Sequence, residues 1–300
     1  MISVVIPYYN KSLFINRALE SCVNQSIKPD EITIVDDFSK LEEKKILQEI
    51  VFKYKDRINI NIHSLNINKG PSHCRNIGVT KSSGKIIFFL DADDKWHKNK
   101  ISSHLKIYED QKISVVYDNQ YLYQNGKILK IDFKIINENF CQELFNGWGP
   151  PNLSSLSIRK DIFLKIGGLD ENLRFSEDQD LFIKLDQNKI KVHGSQERLT
   201  FFSDDDDNRV SYNSIPRING TILFLEKWEL FFKSQFGNES YIKYKNEYLA
   251  KFIYILVISE MKNLKLILAS YIFFRYLFLN IEFYKKIVNK IKKKNNYVKK

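Results

Sequence analysis

The sequence predicts an α/β protein built on a mostly parallel sheet with helices on both faces, followed by a helical, basic C-terminal region. Three observations carry this. Short apolar, β-rich runs alternate with helix-patterned segments through the first hundred residues. Three of those runs stop in polar clusters, "PYYN", "VDDFS" and "LDADD". From about Asn219 onward the chain reads as helix to its end.

The elements follow in order. "ISVVIPYY" is a first strand, and "SLFINRALESCVNQS" places Leu13, Ile15, Ala18, Leu19, Cys22 and Val23 at helical spacing. "EITIVDDFS" is a second strand and "KLEEKKILQEIVFKYK" an amphipathic helix. "ININIHSL" alternates with period two, "GPSHCRNIGVTKSS" is a helix opening near Gly70, and "KIIFFL" is a fourth strand. Beyond residue 100 the pattern loosens. "KISSHLKIYED" is helical, and "SVVYDNQYLYQNGKILKID" is a hairpin turning at Asn125-Gly126. "LSSLSIRKDIFLKIGGLDENL" reads as strand, short helix and a turn at Gly167-Gly168. "SEDQDLFIKLDQN" is a helix with an acidic first turn, and "KVHGSQERLTFFS" is one or two strands. There is no internal repeat.

Composition bounds the function. The chain has 300 residues and is 43% hydrophobic, enough for one large or two modest domains. Three widely spaced cysteines, Cys22, Cys74 and Cys141, make neither a disulfide framework nor a structural zinc site, so a reducing cytosol is expected. The start "MISVVIPYYNKS" lacks the basic and apolar regions of a signal peptide. Of the net charge of +11, the stretch Arg275–Lys300 holds +8, so the remainder is nearly balanced. That distribution argues against nucleic acid, which calls for basic residues over a folded face. It fits a tail that meets an anionic surface.

Four motifs carry chemistry, each with a plainer alternative. In "LDADD", Asp91, Asp93 and Asp94 follow directly on an apolar strand. Acidic groups there repel one another unless a cation lies between them, and a hard divalent ion taking carboxylate and phosphate oxygens suits such a turn. The alternative is a solvated, helix-capping turn. In "IVDDFS" an Asp pair can accept hydrogen bonds from a ribose or a base, or Asp36 or Ser39 can cap the next helix. In "NKGPSHCRN", Gly70 opens a helix whose N–H groups favour an anion, with Arg75 one turn in to meet phosphate or base; an ordinary Gly-Pro helix start is the rival. In "RFSEDQDLFIKL", Ser176 reads as an N-cap, with Glu177, Asp178 and Asp180 favoured by the macrodipole. These acids are functional only if the turn faces the "LDADD" crevice. Asp204–Asp207 reads as a solvated loop or the completion of a metal site, and His193 as structural.

These blocks, in this order, resemble inverting glycosyltransferase family 2, of GT-A fold, over roughly residues 1–215. The family's "VIPxYN" stands as "VIPYYN", its "VDDxS" as "VDDFS", and its "NxGxxxARNxG" as "NKGPSHCRNIG" with Cys74 in place of Ala. Its "FLDxDD" stands as "FLDADD", and its late acidic block as "GGLDENLRFSEDQDLFIKL". The resemblance implies that residues 1–110 bind a nucleotide-sugar, residues 111–215 bind the acceptor, and residues 216–300 are a helical extension. It implies that Pro7, Tyr9 and Asp37 line the base and ribose, with Asn68 and Arg75 close by. Asp91, Ala92 and Asp93 are then the DxD, with Asp93 on a Mn²⁺ or Mg²⁺ ion and Asp91 on ribose or metal. Asp178 aligns with the catalytic base, beside Glu177. The implied activity is transfer of one hexosyl or N-acetylhexosaminyl group, from a UDP-sugar, to a saccharide or lipid-linked glycan of a cell-surface polysaccharide. The family's late His is missing from "LTFFSDDDDNRVSY", so Asp204 or a neighbour substitutes or the metal is held more loosely; the polymerase "QxxRW" is also absent.

The last third is apolar and aromatic but broken by Lys251, Glu260, Lys262, Lys265 and Arg275, so no run reaches the ~18 residues of a spanning helix. An interfacial helix with a basic end on the cytoplasmic membrane face is one reading of 260–300, and helices packed on the protein the other. Two other function classes fit less well. A nucleotidyltransferase would carry a Gly-rich phosphate loop near the first strand, and a carbohydrate- or lipid-binding module would not need the "ED" and DxD sets together.

Overall fold

The middle of β1 (Ile2–Tyr8) is wholly buried at Val4, Val5 and Ile6, the continuous apolar run of a parallel strand covered on both faces. The computed structural model describes residues 1–124, 127–131, 133–203 and 214–262. The expected turn at Asn125-Gly126, the acid run Asp204–Asp207 and the basic tail therefore lie outside the described residues.

β1 pairs in parallel with β2 (Glu31–Asp36) on one side and β4 (Ile86–Phe89) on the other, and β2 carries β3 (Asn59–Ser64). The intervening helices are α1 (Ser12–Val23), α2 (Leu41–Phe52) and α3 (Pro71–Lys81), as the alternation predicts. The strand order β3-β2-β1-β4 reverses direction at β1, and a crevice forms outside the carboxyl ends of β1 and β4, where ligands of such sheets bind.

The sheet continues past β4 through β8 (Leu156–Arg159), β6 (Val115–Gln124), β9 (Val192–Ser203) and β5 (Lys95–Trp96), with β7 (Lys127–Ile131) paired on β6. β9 runs parallel to β6, but β8, β7 and β5 run antiparallel to their neighbours, so this part is mixed. Helices α4 (Lys100–Ile107), α5 (Phe140–Phe145), α6 (Lys160–Lys165) and α7 (Glu177–Gln187) connect these strands. A single 3₁₀ turn at Leu153–Ser155 leads into β8. "KVHGSQERLTFFS" is one bulged strand rather than two.

Residues 1–208 form one compact unit and 209–300 a second. In the second, α8 (Ser214–Phe236) and α9 (Asn238–Lys262) are joined by Gly237 at φ +84°, which only glycine adopts freely. Phe232 packs on Tyr241 and Tyr244, and Tyr241 donates to the Leu225 carbonyl at 2.8 Å. Among the described residues no helix is long and apolar enough to cross a membrane.

Two caps differ from expectation. Asp36 Oδ1 accepts from the Ser39 N–H at 3.0 Å, closing a local turn instead of capping α2. Ser39 Oγ is used by the Asn10 N–H, and Asn10 Oδ1 in turn takes the Lys40 N–H, both at 3.0 Å. The loops after β1 and β2 are thereby tied together. Ser176 precedes α7 but makes no capping bond; it sits at φ +68° with its hydroxyl buried and unpartnered among the described residues. A non-glycine residue in that region is strained, and such strain collects at functional sites.

Gly78 shows how tightly α3 lies on the sheet. A Cβ there would stand 2.3 Å from Val5 Cγ1. Valine is stiff at χ1, so Gly78→Ala is expected to push α3 off β1 and cost about 1–3 kcal/mol. Denaturant unfolding reads this, and an unchanged midpoint would contradict it.

Candidate functional site

Three loops meet around α3. The first ends β2. Asp37 donates its N–H to the Tyr8 carbonyl at 2.8 Å, so the loop stays beside the end of β1. Its carboxylate accepts the Lys69 and Gly70 N–H groups at 2.7 and 2.8 Å, while Asn68 Nδ2 donates to the Asp37 carbonyl at 3.1 Å. The amides that the sequence offered to a phosphate are thus occupied by Asp37, which supplies the negative charge favoured where α3 begins. Gly70 adopts φ +92° to make that approach, and Pro71 then starts the helix with its fixed φ.

The second loop follows β4. Asp91 takes Ser154 Oγ on its N–H at 3.0 Å. Asp94 is wholly buried, accepting from Ser154 Oγ at 2.6 Å, Asn152 Nδ2 at 3.2 Å and the Ser203 N–H at 2.9 Å. Of the three acids, Asp94 is therefore the brace that fixes the turn, while Asp91 and Asp93 border the crevice. Ala92 is buried between them. Lys11, just past β1, pairs with Asp93 at 3.2 Å, and Arg17 donates to the Asp93 carbonyl. Pro7 is the penultimate residue of β1 and Tyr9 lies just past its end, Tyr9 being 48% exposed.

The third loop precedes α7. Asn76 grips it, donating to the Leu169 carbonyl at 2.9 Å and accepting the Leu169 N–H at 2.9 Å. Ser72 donates to the Leu173 carbonyl at 3.3 Å. Arg75, between them on α3, is 4% exposed and reaches both acidic loops: Asp91 at 2.5 Å and Glu177 at 3.3 Å. A buried guanidinium is costly unless paired, and its planar fork suits two carboxylates at once. Glu177, the first residue of α7, therefore shares Arg75 with Asp91 of the loop after β4.

Their electrostatics differ. Burial and the neighbouring Glu177 charge push Asp178 up to about 7. Burial also raises Glu177, with Arg75 pulling it back down. Asp180, by contrast, is wholly buried and paired with Lys184 at 3.1 Å, which places it in the structural support of α7. An acid that titrates near neutrality, at the start of a helix facing a second acidic loop, has the properties of a general base.

One cluster escapes the sequence. Asp118 of β6 is wholly buried with Lys100, with His104 Nε2 at 2.9 Å and with Thr200 Oγ1 at 2.9 Å. Lys100 also donates to the Ser155 carbonyl at 2.6 Å, and Trp96 Nε1 to the Ser154 carbonyl at 2.8 Å. Burial pulls Lys100 down to about 8, and burial with the Lys100 charge pulls His104 down to about 4, so the imidazole is neutral at pH 7. This network holds the 3₁₀ turn from which Ser154 reaches Asp91 and Asp94. An acid inside "SVVYDN" is its one trace in the sequence. His193 lies in β9, paired with Val116, as a strand residue.

The model of glycosyl transferase family 2 matches residues 3–154, half of the chain. The chain belongs to glycosyltransferase family 2. This family 2 chain is 29% identical over 194 residues to the amylovoran biosynthesis glycosyltransferase AmsB of Erwinia amylovora, covering 62% of the chain and 64% of AmsB. It is 30% identical over 196 residues to the uncharacterized glycosyltransferase RP339 of Rickettsia prowazekii, covering 61% and 58%. The matched stretch spans about three fifths of the length of these relatives. Its fold is similar to S. aureus TarS 1–349 in complex with UDP-GlcNAc, with a TM-score of 0.63 at 18% identity over 97% of this chain and 91% of that one. It is also similar to GalNAc-T7 with UDP, GalNAc and Mn²⁺, with a TM-score of 0.58 at 17% identity over 76% and 48%. At these identities the likeness concerns the fold, which is GT-A, as the motifs imply.

Proposed function

We propose that this family 2 chain is an inverting glycosyltransferase that moves one sugar from a UDP-sugar to a hydroxyl of a saccharide or lipid-linked glycan. The observation that carries this is Arg75, which joins the DxD loop to the Glu177-Asp178 turn. The leaving diphosphate and the acceptor's proton would then be handled within one crevice.

The division of labour follows from the residues. Tyr9 and Pro7 at the end of β1 border the nucleotide. Asp37 acts by fixing residues 68–70 and, with Asn68, shapes the base side of the pocket. Asp178 takes the proton of the attacking hydroxyl, a contribution of about 10²–10⁴-fold. Attack from the face opposite the leaving group inverts the anomeric centre, so an α-linked donor gives a β-linkage.

Asp91 and Asp93 suit a Mg²⁺ or Mn²⁺ ion that takes one or two carboxylates and completes its shell with diphosphate oxygens. Among the described residues no three His, Cys, Asp or Glu side chains form a closed protein cage. When bound, such an ion neutralises the charge that grows on the leaving diphosphate. Lys11, at 3.2 Å from Asp93, already supplies positive charge at the same carboxylate.

Screening nucleotide-sugars for Mn²⁺-dependent hydrolysis tests the reading, since slow hydrolysis without acceptor separates a sugar transferase from both a nucleotidyltransferase and a binding module. Absence of hydrolysis with every donor would overturn it. Asp93→Ala is expected to weaken donor binding by more than the roughly 10–100-fold that loss of an outer metal partner costs. EDTA should reproduce this on the wild type, and activity untouched by EDTA would remove the metal from the scheme. The +8 charge of Arg275–Lys300 supports a place on the cytoplasmic membrane face, next to a lipid-linked acceptor.

A further inference from the structure

We propose that the outer face of β5, β6 and β9, beside the DxD loop, is the acceptor subsite, and that it takes a saccharide carrying a negative charge. This rests on the sugar-transfer reading above.

Strand register puts the participants on one face of the sheet. Phe201 of β9 is paired with both Lys95 of β5 and Tyr121 of β6, and Tyr123 lies two residues beyond Tyr121. The Tyr121 and Phe201 rings stack at 5.0 Å between centroids and 18° between planes. Lys95 Nζ stands 5.0 Å from the centre of the Phe201 ring and 5.2 Å from that of Tyr123. The Arg17 guanidinium of α1 also stands 5.5 Å from the Tyr123 ring centre, and it donates to the Asp93 carbonyl and to Ser203 Oγ at 2.7 Å. Aromatic faces and cations therefore alternate outward from Asp93 to Tyr121. Beyond Tyr121 and Phe201 opens a hollow of about 480 Å³, also lined by Leu199 and by Ile128, which is 53% exposed. That volume is in the range of ligand pockets.

The chemistry is specific in two respects. Paired flat rings beside a hollow with Ile128 and Leu199 in its wall suit the C–H face of a pyranose. Lys95 makes no hydrogen bond or ion pair among the described residues. It is held over two ring faces, an arrangement that stabilises an ammonium without an acid and leaves its three N–H donors for a ligand. Arg17 Nε is likewise buried without a hydrogen-bond partner among the described residues. Among the described residues His97, Glu197 and Arg198 also line the hollow, and Glu197 accepts from Ser103 Oγ at 3.1 Å. Among the described residues, the ring-held Lys95 and the neighbouring Arg17 favour a carboxylate or a phosphate on the sugar.

Calorimetric titration of the full chain with three trisaccharides of equal length, one uronate-bearing, one phosphate-linked and one neutral, tests this. At least one anionic ligand is expected to bind tenfold or more tightly than the neutral one, and which one does so identifies the charged group. Lys95→Gln should lose about tenfold for that ligand and nothing for the neutral one, and Lys95→Arg should restore it. Tyr121→Ala should weaken all three. Equal binding of neutral and charged ligands, binding of none, or Lys95→Gln behaving as wild type would overturn the subsite. The donor screen fails separately: hydrolysis of a nucleotide-sugar with no anionic saccharide bound removes the subsite alone. Anionic binding without hydrolysis of any donor removes sugar transfer and leaves the binding surface standing.

Discussion

Asp178→Asn is expected to lower sugar transfer by about 10²–10⁴-fold while leaving nucleotide binding intact, because the amide keeps the shape of the carboxylate and cannot accept the proton. In the wild type the rate should rise with pH through about 7, where burial and Glu177 have placed this acid. The same substitution has an opposite effect on stability. The folded protein holds the Asp178 proton more tightly than the unfolded chain, so the associated stability is fully present below the ordinary Asp range. It is lost as pH rises through about 7. At pH 8 the asparagine variant, which carries no charge there, should be more stable than wild type by about 1–2 kcal/mol, a value discounted for shared charge and partial exposure. At pH 5 the difference should be small. Thermal unfolding at the two pH values together with a transfer assay checks both halves. Wild-type turnover in the variant would refute the base assignment, and an equal stability change at both pH values would refute its titration.

Arg75→Met should be the most damaging single change to the site's framework. It leaves Asp91 and Glu177 without their shared partner. Removal of one member of a buried ion pair costs about 3–5 kcal/mol, and here about 2–3 kcal/mol is expected because both carboxylates keep some exposure, 25% and 18%. The deficit should shrink as pH falls, because burial already raises Glu177 and its protonation removes one stranded charge. Arg75→Lys keeps the charge but cannot span two carboxylates with one ammonium, so it should fold and still transfer sugar slowly. Misplacement by about 1 Å can cost on the order of 10²-fold. An unfolding midpoint for Arg75→Met equal to wild type would show that the bridge does not hold the two loops together.

Much of the N-terminal half is legible in the residues because its strands are buried on both faces. "SVVIPY" and "ITIV" read as strands covered by helices, and the acids after them fall at a strand end or in the loop beyond it. The motif order identified the family as well: three blocks sit at the ends of β1, β2 and β4, and the other two at the starts of α3 and α7. The C-terminal part of the sheet is less legible. β8 inserts between β4 and β6 and turns the sheet mixed, and nothing in "LSIR" states its neighbours, since period-two patterning specifies a face and not a partner. Ser39 and Ser176 mislead as caps because a hydroxyl near a helix start has the same sequence signature whether it caps the helix or serves a neighbouring loop, as Ser39 does for Asn10.

The sequence by itself determined that this chain is an α/β protein of glycosyltransferase family 2 and which acidic turns deserve a chemical reading. Only the tertiary structure decided what each acid does. Asp94 is a brace, Asp180 is neutralised by Lys184, Asp37 fastens residues 69–70, and Asp178 is left near neutrality beside Glu177. The reason is physical. Side-chain type fixes only the ordinary affinity of a carboxyl for its proton. Its actual charge and role follow from burial and from partners such as Arg75, Lys11 and Ser154, distant in sequence and brought within 2.5–3.3 Å by the packing of α3 and the 3₁₀ turn.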